Sequence, residues 1–152
     1  MLTTQFSPLH LTLVLLFALG IFIMYITLLQ GTLKQVSKEN LDTEPGFAWL
    51  LLIPLFSIIW TFIFYPRIAS SLKKEFEARG ENPNGDCGKG LGIALAITGV
   101  LSLIPYIGIV FAIGNLVIWI IYWVIIAKYK TRLEKGQASS VGLGSSSDLL
   151  DN

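Results

Sequence analysis

The stretch LGIALAITGVLSLIPYIGIVFAIGNLVIWIIYWVIIA, residues 91–127, holds 37 residues without one Asp, Glu, Lys, Arg or His. As a single α-helix it would be roughly 55 Å long, against a bilayer hydrocarbon core of about 30 Å. Its middle reads LIPYIG, residues 103–108. Pro105 removes a helical hydrogen bond and Gly108 permits a tight turn. The spacing therefore predicts two helices in a tight hairpin, about 88–103 and 107–127.

The rest of the chain has the same character. Apolar residues make up 53% and charged residues 14%, with a mean hydropathy of +0.68, where soluble domains carry roughly 25% charged residues. The charges are also confined to Lys34–Glu44, Arg67–Lys89 and Lys128–Asp151. Uncharged apolar runs longer than about 18 residues read as transmembrane helices. Leu9–Leu29 is one, preceded by Pro8 at a position where a missing N–H costs nothing. It is read as a retained anchor: MLTTQFSPLH has no Lys or Arg, the apolar run exceeds a signal core, and no Ala-x-Ala pattern follows. Phe47–Tyr65 is another, entered at Pro45–Gly46 and left at Pro66–Arg67.

Four spans, about 9–29, 47–65, 88–103 and 107–127, put both termini on the cytoplasmic side. Nine of the eleven Lys and Arg then lie inside, and Lys34 and Lys38 outside, as the positive-inside tendency asks. The expected fold is an all-α integral membrane bundle of four transmembrane helices over residues 1–135, with cytoplasmic helical extensions. One extension follows Pro66, where Ile68, Leu72 and Phe76 recur every four positions among charges. The fourth span likewise runs on through AKYKTRLEK (127–135), after which 136–152 is Gly/Ser-rich and reads as a disordered tail.

ENPNGDCGKG, residues 81–90, is the only stretch with the look of a phosphate-binding loop. A P-loop needs G-x-x-x-x-G-K-[ST]. Aligning Gly88–Lys89 with the G-K pair puts Pro83 at the first glycine and Gly90 at the hydroxyl, so no nucleotide is expected. Gly88, Gly92 and Ala96 are four apart and read instead as a helix-packing face, since small residues let membrane helices approach closely. A net charge of +1 offers nothing to nucleic acid. One cysteine, Cys87, and one histidine, His10, are too few for a multi-cysteine or zinc site, and no cofactor is implied. No catalytic constellation is legible, and the chain is read as a non-enzyme.

Asn115, with Thr98, is the strongest polar feature within the apolar tracts, read as an interhelical hydrogen bond or a ligand contact. Arg67, Lys73, Lys74 and Arg79 form a candidate partner-facing cytoplasmic surface. Glu75 and Glu77, two apart on a helix, read as a solvated face.

The segments WLLLIPLFSIIWTFIFYPRIASSLKKEFEARG (49–80), GDCGKGLGIALAITGVLSLIPYIG (85–108) and WIIYWVIIAKYK (119–130) resemble a group of small, uncharacterised bacterial multi-pass membrane proteins. The resemblance covers about Trp49 to Lys130 and runs through Pro54, Trp60, Arg79, Gly90, Tyr122 and Trp123. It implies a bacterial inner-membrane location and carries no activity with it. The expected function is a non-enzymatic accessory or scaffold subunit, partnered by the lipid bilayer and by another membrane protein or further copies of itself. The alternative is a small oligomeric channel or facilitator, with Asn115 and Thr98 at its pore.

Overall fold

The computed structural model describes residues 8–83 and 85–147, with the side chains of 138–147 set aside. Among the described residues the regular structure is all helical. Helix α1 is Pro8–Lys34, α2 Pro54–Ala78, α3 Lys89–Leu101 and α4 Gly108–Ser147, with short 3-10 turns at Lys38–Asn40 and Pro45–Leu52. Three helices are long and apolar enough to cross a membrane: α1, α2 and, over Gly108–Gln137, α4. The chain is a membrane protein by that measure. Helix α3 has 13 residues, about 20 Å of rise, short of the roughly 30 Å core.

The expected second span, 47–65, is not one helix. It breaks between the 3-10 segment Pro45–Leu52 and α2, with Ile53 extended at φ −85°, ψ 106°. Pro54 has no N–H to give to a preceding turn, so it starts a helix and does not continue one. The 3-10 segment folds back against α2: the Trp60 indole donates to the Phe47 carbonyl at 3.2 Å and the two rings meet edge to face.

Contact partners fix the helix directions. Tyr25 meets Trp119, and a side chain at Gly31 would meet Lys130, so α1 and α4 run the same way. Tyr25 also bonds the Tyr65 hydroxyl, and Arg79 reaches the Gln35 carbonyl, so α2 runs with them. Helix α3 runs against them, with Gly88 and Gly92 beside Tyr122 and Gly99 beside Asn115.

One consequence corrects the expected topology. Four alternating crossings need the segments Gln30–Gly46 and Pro66–Gly90 at opposite ends. Instead Ser37 and Asn40 bond Glu75, and Asp42 bonds Lys74 and Ser71. Both segments sit at one end of the bundle, with the basic stretch of α4 beside them through Arg132–Glu81. Every charged residue among those described gathers there. The start of α1 lies at the other end.

The core sits at the charged end too. Tyr25, Leu29, Leu33, Phe64, Ile68, Leu72, Phe76, Tyr122, Ile126 and Leu133 are fully buried. By contrast every residue from 8 to 20 of α1 is exposed. The hydrophobic effect needs water on the other side of the balance, and lipid tails offer helices no such drive. Large side chains therefore close a core where the bundle meets water and stay open where it meets lipid.

The helix α4 also continues past Gly136 to Ser147, through residues whose composition suggested disorder. Gly136 lies against the Arg79 guanidinium, and Gln137 donates to the Gln35 carbonyl at 3.2 Å. Once turns are held this way, adding further ones avoids the cost of nucleation. Residues 148–152 of the expected tail lie outside those described.

Candidate functional site

Four places hold the residues singled out above. The first is the loop before α3. Asp86 turns its carboxylate onto the N-terminus of α3, accepting from Gly88 N at 3.0 Å and Gly90 N at 2.5 Å. Those are the donors that would cradle a phosphate. Here a carboxylate of the same loop already holds them. Cys87, in the same loop, is fully buried at φ 53°. Burial, and then Asp86 beside it, push its thiol pKa up, which suppresses the reactive thiolate.

The second is the small-residue face. A Cβ on Gly92 would stand 2.5 Å from Tyr65 Cβ, and one on Gly88 3.3 Å from the Tyr122 ring. Ala96 is buried. Gly92 and Ala96 thus lie on the α3 surface packed within the same chain, while Gly88 caps the helix at φ 84°, a left-handed conformation that suits glycine.

The third is the polar pair in the apolar half. Asn115 Nδ2 donates to the Leu95 carbonyl at 2.9 Å and to Thr98 Oγ1 at 2.8 Å, and the Thr98 hydroxyl turns to the Ala94 carbonyl. Asn115 therefore stitches α4 to α3. It also borders a cavity of about 420 Å³ with Phe22, Thr61, Gly99 and Trp119. Thr98 does not line that cavity.

The fourth is the charged end, where the expected partner surface divides. Arg79 is absorbed into the fold: Nε and Nη2 hold Glu75, Nη1 donates to the Leu133 carbonyl, and Nη2 to that of Gln35. Glu75 is 2% exposed, and five donors around it replace the water it lost. The solvated-face reading fails for Glu75, whose carboxylate is enclosed by Ser37 and Asn40 of a distant segment and by Arg79 one turn along its own helix. Lys74 is bonded to Asp42, and Lys73 lies 3.8 Å from Glu77 on an exposed face. Arg67 borders a cavity of about 620 Å³ with Lys38 and Asp42. Of these four basic residues, Lys74 and Arg79 are bonded to other segments, whereas Lys73 pairs only within its own helix and Arg67 stands at the cavity edge.

No family model matches this chain, and neither do the curated proteins nor the solved structures yield a match. The functional reading therefore rests on geometry. Among the described residues no group of three or more His, Cys, Asp or Glu is placed to hold a metal ion.

One feature escaped the sequence reading. Along α4 a groove of about 960 Å³ runs from Trp119 and Trp123 to Lys128, Arg132 and Lys135, with Glu81 at its polar end. The signal was present in the sequence. Basic residues at 128, 132 and 135 repeat at helical spacing one turn beyond a tryptophan pair.

Proposed function

We propose that the protein is a non-enzymatic accessory or scaffold subunit of a membrane assembly, contacting its partner within the bilayer. The observation that carries this reading is the first half of α1. Residues 8–20 are exposed on every face of the helix, with Leu9, Phe17 and Leu15 among the most open. Among the described residues, α2, α3 and the apolar part of α4 each pack against a neighbouring helix. A lone apolar rod beside a closed core is suited to docking against another membrane helix.

The charged end is placed in the cytoplasm on the positive-inside tendency. Helix α1 then crosses with its start on the far side, and α3 with α4 forms a hairpin that enters and returns. The segment 45–66 dips in and leaves by the same face, a re-entrant turn tolerated because it is packed in protein. The resemblance noted above supports a bacterial inner membrane.

A photo-crosslinking residue at Leu13 or Phe17, activated in native membranes, tests the docking reading. A discrete adduct with one membrane protein, or with a second copy, is expected. Lipid adducts alone would remove its basis. The runner-up is an oligomeric solute channel, favoured by the cavity beside Asn115. Selective solute flux in liposomes carrying the pure protein would establish it instead.

A further inference from the structure

We infer that the cavity beside Asn115 is a binding site for a neutral lipid that carries a free hydroxyl. The Asn115 amide fits only one way round. The Leu95 carbonyl can accept but not donate, so Nδ2 must face it, and the other Nδ2 hydrogen goes to Thr98 Oγ1. Oδ1 is left as an acceptor with no donor among the described residues. The hydroxyls on the cavity wall are engaged elsewhere: Ser57 and Thr61 give their hydrogens to the Pro54 and Ile58 carbonyls, and that of Tyr65 is tied to Tyr25. Among the described side chains only Thr43 Oγ1 and the Tyr122 hydroxyl are both unpartnered and sealed in, so the Asn115 oxygen is open to an incoming group.

The cavity's size, about 420 Å³, falls within the roughly 300–1,000 Å³ of small-molecule sites. Buried Leu51, Tyr65, Leu95 and Ala96 close its deep end, while Leu103 and Leu116 at its rim are 65% and 55% exposed. It therefore opens sideways, toward the lipid around the apolar half. No charged residue lines it among those described. Burying an unpaired charge is costly, so the occupant is neutral. Asn115 lies about 10 Å of helix rise from the start of α4, within the hydrocarbon in the arrangement proposed above, where bulk water does not compete for its oxygen. A trapped water needs about two to four polar partners, and Oδ1 is a single one. A lipid hydroxyl needs no more than that, because its chain is held by the apolar wall. The proposal requires α3 and α4 to lie in the bilayer, and it is independent of the accessory reading.

Trp119 is on the cavity wall, and bromine on an alkyl chain quenches a nearby indole. The full-length protein in neutral micelles is titrated with a long-chain alcohol brominated along its chain and, separately, with the methyl ether of that alcohol, which has nothing to donate. The alcohol should bind about two- to tenfold more tightly, the net worth of one hydrogen bond. Asn115→Leu should bring the alcohol down to the affinity of the ether and leave the ether unchanged. Trp119→Phe should remove most of the quenching, whereas Trp123→Phe, outside the cavity, should keep it. Ala112 is exposed at the rim, so Ala112→Phe can fill the opening without displacing a packed neighbour, and it should weaken both ligands. Equal binding of alcohol and ether to the parent would overturn the hydroxyl assignment, as would an equal loss of both in Asn115→Leu. Quenching unchanged by Trp119→Phe and by Ala112→Phe would overturn the site itself.

Discussion

Ser37 bonds Glu75 twice, through its backbone N at 2.9 Å and its hydroxyl at 3.1 Å. With Asn40 and Arg79 on the same carboxylate, one buried anion joins the segment after α1 to the end of α2. Removing one partner of a buried pair leaves an uncompensated charge, at a cost of about 3–5 kcal/mol. Glu75→Ala should therefore destabilise the detergent-solubilised protein by that order, and Glu77→Ala, on the exposed face, by less than about 0.5 kcal/mol. Equal effects in thermal unfolding would refute the staple.

Sidedness follows from the same bond. In a Cys87→Ala background, cysteines placed at Lys38 and at Lys135 should behave alike toward an impermeant maleimide. Both should stay unlabelled in sealed spheroplasts and react after lysis. Labelling at position 38 alone in sealed cells would restore the alternating four-span arrangement.

Gly92 separates packing from conformation. A methyl there meets Tyr65, so Gly92→Ala should cost about 1–3 kcal/mol, as overpacking does. Gly114, also helical, has open space at its Cβ position. Gly114→Ala should be neutral or stabilising by up to about 1 kcal/mol. Thermal stability of the two variants decides, and the reverse ranking would contradict the α3 packing.

Asp42 is held below the ordinary carboxylate range, first by its hydrogen bond from Lys74 and then by Ser70. A depressed folded value means the stabilisation is present above the unfolded value of about 3.9 and is lost as pH falls through the folded one. Lys74 is half exposed, so screening limits the pair to under about 1 kcal/mol. Asp42→Asn should lose that much at neutral pH, and the gap from the parent should close in acid and narrow in salt. A gap that widened on acidification would exclude this account.

Asn115→Leu removes the stitch between α3 and α4. Intramembrane side-chain hydrogen bonds average about 0.6 kcal/mol, so unfolding should shift little. Loss of solute flux at normal stability would instead favour the channel reading.

How far residues alone reach is plain from three positions. The break at Pro105–Gly108 was legible, because it depends on local backbone chemistry and on a tract too long for one crossing. Pro54 carried the same local signal but sat inside a run of acceptable span length, which hid the break. Glu75 was illegible in principle: its donors Ser37 and Asn40 are 38 and 35 residues away. Counting positive charges then misled, since it assumes that each apolar tract crosses. For the candidate sites, the spacing of Gly92 and Ala96 marked close packing, whereas the α4 groove needs Glu81 and α4 brought together in space.

The gathering of charge at one end also bears on how the chain enters a membrane. A charged side chain passing the bilayer centre costs about 2.5–3.5 kcal/mol even in biological insertion. Lys34, Lys38, Glu39, Asp42 and Glu44 all stay beside Glu75 and Lys74, on the side where α4 ends. In the arrangement proposed above, only the start of α1 and the turn around Tyr106, which is wholly exposed, have to be carried through. From α1 onward, biogenesis in that proposed arrangement would translocate none of the described formal charges, and insertion should depend little on the membrane potential.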